Sequence, residues 1–503
     1  MTVPKQMSRL SRSLYVRGAL QESAGESWSV QDPASEELLG EVADATSEEV
    51  DDAHIAANEA WPTWWALSAL ERAEKLHMVA QTLRGMRAEL AELLTREMGK
   101  PYKESFDEVE WSITALDYYA EIGRHDTGHV LGPALAGQMH YTLKEPMGVV
   151  AVILPFNYPF VLLCWEAAAA LAAGNSVVVK PSELTSLSTL RFVEAFEGLG
   201  PGMVQCVTGH GRVGARLVES PQTHMVAFTG SVPTGRAVMR ACAETFKPHL
   251  IETSGNDPFL VMPSALMDVA VRGAAFAAFL NCGQVCTSAE RFYVHTDVYD
   301  EFADRLVAQA TALRIGNGLD KVDMGPMVNE TEYARFIAIV DRAVAQGATV
   351  ACGGRRPEGL DSGWFYEPTV LRDVTPDMEI VHSESFGPVA PLVRVKSFEE
   401  AMQLANDSDF GLGANLYSQD LVEVFAATAG LDTGMVWVNA PLLDNDAGPF
   451  GGRKLSGTGR QLGAEGLDQF RHTKLVMIDP TASEQDFWWF PYADEESYPG
   501  YDD

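Results

Sequence analysis

The chain has 503 residues, 46% of them hydrophobic and 21% charged, and a formal net charge of −33. That length asks for about three domains or subdomains, and the composition is that of a globular protein rather than a disordered one. A surface this acidic repels phosphate backbones and anionic membranes, so nucleic-acid and membrane partners are not expected.

The N-terminus carries Lys5, Arg9, Arg12 and Arg17 with no apolar run behind them, so no secretory signal is expected. Residues 47–97 carry Ala, Leu and charged side chains at helical spacing, and a second helix is predicted over 108–122. Residues 128–145 are less regular, with β-formers at His140, Tyr141, Thr142 and Leu143, and read as an extended arm. From 148 onward strands and helices alternate. Strands are predicted at 149–154, 176–179, 203–207 and 225–228, and helices at 161–173, 187–196 and 211–219. This rhythm builds a parallel sheet with helices on both faces. Strands at 292–294, 349–352, 389–395 and 435–439 predict a second α/β unit. The apolar stretch 148–179 is broken by Pro155, Asn157, Pro159 and Glu166 and is too interrupted to span a membrane. After 486 come the aromatics Phe487, Trp488, Trp489, Phe490 and Tyr492 and then an acidic stretch, expected to pack on the body or on a neighbouring subunit.

The cysteines are Cys164, Cys206, Cys242, Cys282, Cys286 and Cys352, without disulfide-framework spacing, as in a protein of a reducing cytoplasm. Cys282 and Cys286 are four residues apart with no His or Cys cluster nearby, a poor metal or redox pair, and no metal is expected. Alone, Cys286 reads as a small buried hydrophobe. Gly209-His210-Gly211-Arg212-Val213-Gly214 matches a dinucleotide fingerprint, yet equally the turn chemistry of any βα junction. Phe228-Thr229-Gly230-Ser231 opens a second strand-to-helix turn. Its Ser231 suits either a pyrophosphate at a helix N-terminus or an ordinary N-cap.

Joint occurrence separates these readings. Pro155-Phe156-Asn157-Tyr158-Pro159, Lys180-Pro181-Ser182-Glu183, Phe228-Thr229-Gly230-Ser231, Glu252 in Leu250-Ile251-Glu252-Thr253-Ser254-Gly255, Gly283-Gln284-Val285-Cys286, Glu384-Ser385-Phe386-Gly387-Pro388 and Pro449-Phe450-Gly451-Gly452 follow one another in order. In these seven blocks the chain resembles the NAD(P)-dependent aldehyde dehydrogenase superfamily, of the hydrolytic rather than CoA-acylating type, from about Trp28 to Asp479. The resemblance implies an α/β fold with a Rossmann-type cofactor domain (1–126 and 147–254), an α/β catalytic domain (255–470) and a small β oligomerisation arm (127–146 and 471–480), followed by the tail 481–503. It implies a homodimer or homotetramer acting on a small-molecule aldehyde with NAD, NADP being possible.

Among the residues, the resemblance implies Cys286 as nucleophile, Asn157 as oxyanion donor and Glu252 as the base that activates water. Cofactor contacts are implied for Lys180, Ser182, Glu183, Gly211, Phe228, Gly230, Ser231, Thr234, Glu384 and Phe386. A carboxylate at Glu183 suits two ribose hydroxyls and repels a 2′-phosphate, favouring NAD. Phe156, Tyr158, Trp165, Val285, Thr287 and Phe450 are implied in the aldehyde tunnel.

Three features depart from the family pattern: Ser254-Gly255-Asn256 where Gly-Gly-Lys is usual, Glu166 where Lys usually follows the Trp, and an acidic Asp444-Asn445-Asp446 loop. The loop, with Glu110, suggests an aminoaldehyde or betaine aldehyde; the alternative is an exposed loop on a protein acidic everywhere. Other readings are a CoA-acylating enzyme, against which Glu252 speaks, and a carboxylated semialdehyde held by Arg291 or Arg453. A non-catalytic family member is the last, and the presence of all three reaction residues opposes it.

Overall fold

The computed structural model describes residues 5–125, 127–485 and 489–490. Val149–Ile153, Ser176–Lys180, Val204–Cys206, Met225–Thr229 and His249–Glu252 form the parallel core of an eight-stranded sheet. Most of these residues are buried, which is why the runs read as continuous Val, Ile and Ala rather than alternating. Gly457–Thr458, far along the chain, adds antiparallel at the Glu252 edge. At the other edge Ser13–Val16 pairs with Ala19–Glu22, a hairpin that the sequence reading did not predict. Its turn is Arg17-Gly18, both left-handed at φ 55° and 81°, and an Arg in the first of those positions hides the usual Asn-Gly signature.

A seven-stranded sheet forms the second unit around Asp257–Val261, Ala289–His295, Val389–Val395 and Asn415–Tyr417. The four strands predicted there are present, the last shortened to Trp437–Val438. The α/β expectation therefore holds.

The helical stretch expected over 47–97 is two helices, Ser47–Trp65 and Ala69–Met98. The break follows from two capping boxes, Thr46 with Glu49 and Ser68 with Glu71, each closing its own first turn. The next helix, Tyr102–Ile122, begins six residues before the predicted 108. The helix predicted over 161–173 runs from Pro159 and contains a π-helical turn, Cys164–Ala168, a device common near functional sites.

Arg471–Ile478 pairs antiparallel with Met139–Pro146, from Arg471 opposite Pro146 to Ile478 opposite Met139, and Val130–Leu131 completes that three-stranded sheet. Of the aromatic tail, Trp489 and Phe490 are exposed, so these two do not bear out packing on the body of their own chain. Phe487, Trp488 and Tyr492 lie outside the described residues. Among the described residues no helix is long and apolar enough to cross a membrane.

Candidate functional site

The motif residues collect at the carboxyl ends of the parallel strands, where ligands bind in open α/β sheets. Val149–Ile153 leads to Asn157, Ser176–Lys180 to Ser182 and Glu183, Met225–Thr229 to Gly230 and Ser231, and His249–Glu252 ends on Glu252. A cleft of about 430 Å³ opens there, lined by Phe156, Asn157, Gly230, Ser231, Glu252, Cys286, Glu384 and Phe386 among others. On the far side of Cys286 lies a chamber of about 50 Å³, lined by Trp111, Tyr158, Trp165, Val285, Thr287, Asp444 and Phe450 among others. Asn157, Leu162 and Cys286 line both spaces.

Five of the six expected tunnel residues thus face the chamber. Phe156 does not. It lies in the cleft, edge-on to Phe386 with ring centroids 5.9 Å apart. Residues 156–158 form a bend rather than an extended strand, so two-residue alternation does not hold there, and Phe156 and Tyr158 face different spaces.

The nucleophile loop is held by close approach. Asn281, Cys282 and Gly283 are successive left-handed residues at φ 51°, 56° and 72°. A Cβ on Gly283 would stand 2.2 Å from the Gly387 carbonyl oxygen, so glycine is required where this loop meets the Glu384–Pro388 segment. The Asn157 side-chain amide donates to the Gln284 carbonyl at 3.1 Å, and the Asn281 amide donates to the same carbonyl at 3.1 Å and to the Asn157 carbonyl at 3.3 Å. Cys286 is half-buried. Burial and the nearby Glu252 carboxylate hold its thiol well above the usual range.

Glu252 is 2% exposed. Burial pushes its carboxyl up to about 8, reinforced by the charges of Glu166 and Glu384 and opposed by the nearby Cys286 and Thr229 side chains, while neither carboxyl oxygen has a hydrogen-bond partner. Glu384 is likewise pushed up to about 8 by burial and by Glu290, while the Ser254 hydroxyl, the Gly255 N–H and Arg335 work the other way. Ser254, one of the departures, therefore stands beside Glu384, whose carboxylate accepts from the Gly255 N–H at 3.2 Å.

Several residues escaped the sequence reading. Glu290 accepts from the Ser385 and Phe386 amides at 2.9 and 2.8 Å and from the Asn256 amide at 3.1 Å. Asn256, where the pattern has Lys, so helps anchor the segment carrying Glu384 and Phe386. Wholly buried Lys100 and Glu108 brace the Asn157 turn: Lys100 Nζ donates to the Asn157 carbonyl at 2.6 Å, and Glu108 accepts from the Phe160 amide at 2.7 Å. Glu104, Asp107, Glu108 and Glu110 crowd one short stretch of helix whose charge suggests a solvated face; only packing shows Glu108 to be inside.

The expected dinucleotide residues divide. Gly230, Ser231, Glu384 and Phe386 line the cleft. Ser231 is the N-cap of the helix Val232–Ala243 and makes no side-chain cap bond, its hydroxyl pairing instead with Thr234 at 3.0 Å. Lys180, Ser182, Glu183 and Gly211 stand farther along the same sheet edge, with Lys180 Nζ donating to the Pro181 carbonyl. Phe228 faces the core at 3% exposure, beneath Gly230 and Gly235, and does not line the cleft. Gly209 serves the turn itself, since a Cβ there would meet Val213 at 2.3 Å and Asp44 at 2.6 Å.

The two arginines considered as substrate anchors are committed elsewhere. Buried Arg291 donates to the carbonyls of Asn256, Leu404 and Ala405, and Arg453 pairs with Asp432. Glu110 pairs with Arg87 and lines neither space. Among the described residues no group of three or more His, Cys, Asp or Glu is placed to hold a metal.

Known proteins agree with this picture over nearly the whole chain. The sequence model of the aldehyde dehydrogenase family matches residues 20–476. The 3-sulfolactaldehyde dehydrogenase of Pseudomonas putida is 36% identical over 479 residues, 94% of this chain and 98% of that protein. The succinate-semialdehyde dehydrogenase [NADP(+)] GabD of Escherichia coli (strain K12) is 37% identical over 458 residues, covering 90% and 95%. The crystal structure of betaine aldehyde dehydrogenase from Staphylococcus aureus in complex with NAD+ superposes with a TM-score of 0.93 at 32% identity, covering 97% and 98%. With motif order, fold and relatives in accord, the chain belongs to the aldehyde dehydrogenase family.

Proposed function

We propose that this protein oxidises an aldehyde to a carboxylic acid with NAD or NADP, through a covalent adduct on Cys286. The observation that carries the reading is the meeting of Cys286, Asn157 and Glu252 where the cleft and the chamber share a wall. The residues present fit a dinucleotide. The cleft begins at the first turn of Val232–Ala243, whose leading amides have no side-chain cap from Ser231, and such a turn receives a pyrophosphate. Glu183 would accept from ribose hydroxyls, which favours NAD. When bound, the nicotinamide supplies the hydride acceptor.

The chain's own residues do the rest. The Cys286 thiol loses its proton to Glu252 and the sulfur adds to the carbonyl carbon, giving a thiohemiacetal. Asn157 donates to its developing oxyanion, an interaction whose loss typically costs about 3 kcal/mol of barrier. After oxidation to the thioester, Glu252 releases the thiol's proton through the cleft that it lines, takes a proton from water as the water oxygen adds, and the C–S bond breaks to release the acid and a Cys286 thiolate. A carboxyl raised to about 8 suits both proton steps.

For the substrate, a specific observation favours a neutral or cationic aldehyde. Trp111, Tyr158, Trp165 and Phe450 surround the chamber, Asp444 stands at it, and among the described residues no Lys or Arg lines it. Aromatic faces and a carboxylate receive an ammonium well and give a carboxylated substrate no anchor. An aminoaldehyde or betaine aldehyde fits this lining. We place the protein in the cytoplasm, where free cysteines persist. It would act as a dimer or tetramer through the strand pair Met139–Pro146 and Arg471–Ile478, whose Met139, Leu475 and Met477 are exposed.

Steady-state kinetics with betaine aldehyde, aminoaldehydes, succinate semialdehyde and neutral aldehydes of equal length, with each dinucleotide, test the reading. No reduced nicotinamide with any aldehyde would sink it. A preference for succinate semialdehyde would sink only the substrate assignment.

A further inference from the structure

The Asn157 turn and the Cys286 loop are both anchored at the N-terminal end of one helix. Lys100 stands just before the helix Tyr102–Ile122, and Glu104 and Glu108 follow it at helical spacing, one turn apart on one face. Lys100 and Glu108 hold the Asn157 turn. Glu104, between them, reaches the other way: its Oε2 accepts from the Asn281 backbone N–H at 3.0 Å. Asn281 is 1% exposed, so this amide has no ready water to turn to if its acceptor is lost. Glu104 itself is half-buried and lines a groove of about 480 Å³ that also touches Tyr158 and Leu280, two residues of the chamber wall.

Asn281 is the corner at which the nucleophile loop begins. The helix Met267–Phe279 ends just before it, and at Asn281 and Cys282 the backbone turns left-handed, at φ 51° and 56°. Residues other than glycine keep such angles only where surrounding contacts impose them. The Asn281 carbonyl accepts from the Gln284 side-chain amide at 3.0 Å, and the Asn281 side-chain amide spans the Gln284 and Asn157 carbonyls. Its N–H is the arm that goes to Glu104. A shift of Asn281 therefore moves Gln284, two positions before Cys286, relative to Asn157. A thiol and an oxyanion donor must reach the carbon and the oxygen of one carbonyl group, so their separation is what the reaction needs fixed.

We infer that Glu104 is a positioning residue, which fixes the nucleophile loop at the Asn281 N–H and so sets the distance between the Cys286 thiol and the Asn157 amide. The inference rests on Cys286 and Asn157 acting as nucleophile and oxyanion donor. Glu104 acts through Asn281 and Gln284, and its helix serves as the common ruler, since Lys100 and Glu108 fix the other end of that distance from the same place. Burial pushes the Glu104 carboxyl up to about 8 against the opposing Lys100 charge and the Asn281 N–H. The bond to Asn281 therefore does not depend on a full charge, and a neutral amide oxygen can stand in for the carboxylate.

Glu104→Ala removes the acceptor. Its kcat should fall by about tenfold or more, with KM for the aldehyde and the dinucleotide affinity within about twofold of the parent. Glu104→Gln keeps an oxygen in place and should return to within about threefold of the parent. Glu104→Ala combined with Asn157→Ala tests the spacing itself. Once the donor is gone its distance no longer matters, so the double variant should be at most about threefold slower than Asn157→Ala alone. The inference is overturned if Glu104→Ala loses less than about threefold in kcat, if its loss appears in KM, if Glu104→Gln is as slow, or if the two single losses multiply. Should Glu104→Ala not fold, Glu104→Asp, one methylene too short to reach Asn281, takes its place in every comparison. Asn157→Ala separates the two readings. Parental turnover in that variant removes the donor and the reaction built on it, whereas a slow Asn157→Ala beside a parental Glu104→Ala removes only the positioning role.

Discussion

The Lys100 ammonium and the Glu108 carboxylate meet at 2.6 Å with neither side chain exposed, and between them they fix both ends of the turn that carries Asn157. Lys100 Nζ also stands 3.9 Å from the centroid of the Tyr158 ring, tying the pair to the chamber wall. Removing one partner of such a pair strands a charge. Lys100→Met is expected to cost about 3–5 kcal/mol of stability, and Lys100→Met with Glu108→Leu to recover much of that. Urea unfolding of the three proteins checks the order; equal loss in single and double variants would contradict it.

Cys286→Ala should abolish reduced-nicotinamide formation while leaving dinucleotide binding intact. Asn157→Ala should retain the thiol and lose about 3 kcal/mol of transition-state stabilisation, roughly a hundredfold in turnover. Absorbance assays beside calorimetric binding separate the two effects. A tenfold weaker dinucleotide affinity in Cys286→Ala would mean that the loop had collapsed instead.

Among the carboxyls raised by burial, Glu97, Asp257 and Asp444 are pushed up to about 7 and Glu104, Glu166, Glu252 and Glu384 to about 8. In each the folded state holds a proton that the unfolded chain has already released near its ordinary value. The folded state binds more protons in that window, so stability falls as pH rises. Their contribution is whole below the ordinary carboxyl range and lost once pH passes about 8. Thermal melting at fixed ionic strength should show a lower Tm at pH 9 than at pH 6, and a rising Tm would count against the buried carboxyls.

Glu183 stands just beyond the strand Ser176–Lys180, with Lys180 close enough for its charge to act on the buried amine. Replacing Glu183 with Gln removes the repulsion toward a 2′-phosphate. The ratio of kcat/KM for NAD over NADP should drop by about tenfold or more, mostly through KM. An unchanged ratio would place the ribose elsewhere.

Much of this was legible in the residues. The buried strands of the first sheet are continuous apolar runs between turn residues, and Cys286, Glu252, Asn157 and Glu384 lie in motifs whose order alone was informative. What stayed hidden depends on contacts distant in sequence. Lys100 and Glu108 look like solvated helix charges until the Asn157 turn closes over them. Glu290 sits in a strand with no mark of the loop it holds 95 residues away. The break between the first two long helices was visible in Ser68 and Glu71, but the apolar spacing runs across it and the cap was overlooked. Phe156 and Tyr158 are two positions apart, a spacing that suggests one wall, but the bend over 156–158 turns them to different spaces.

Cys286 stands in a wall common to the cleft and the chamber, so the proposed reaction would have two-sided traffic to the thiol. A dinucleotide can arrive and depart by one route while aldehyde and acid use the other, so neither reactant need wait for its partner to clear a passage. Small molecules that plug the chamber should then leave dinucleotide affinity untouched, and occupation of the cleft should leave the thiol open to alkylation from the opposite face.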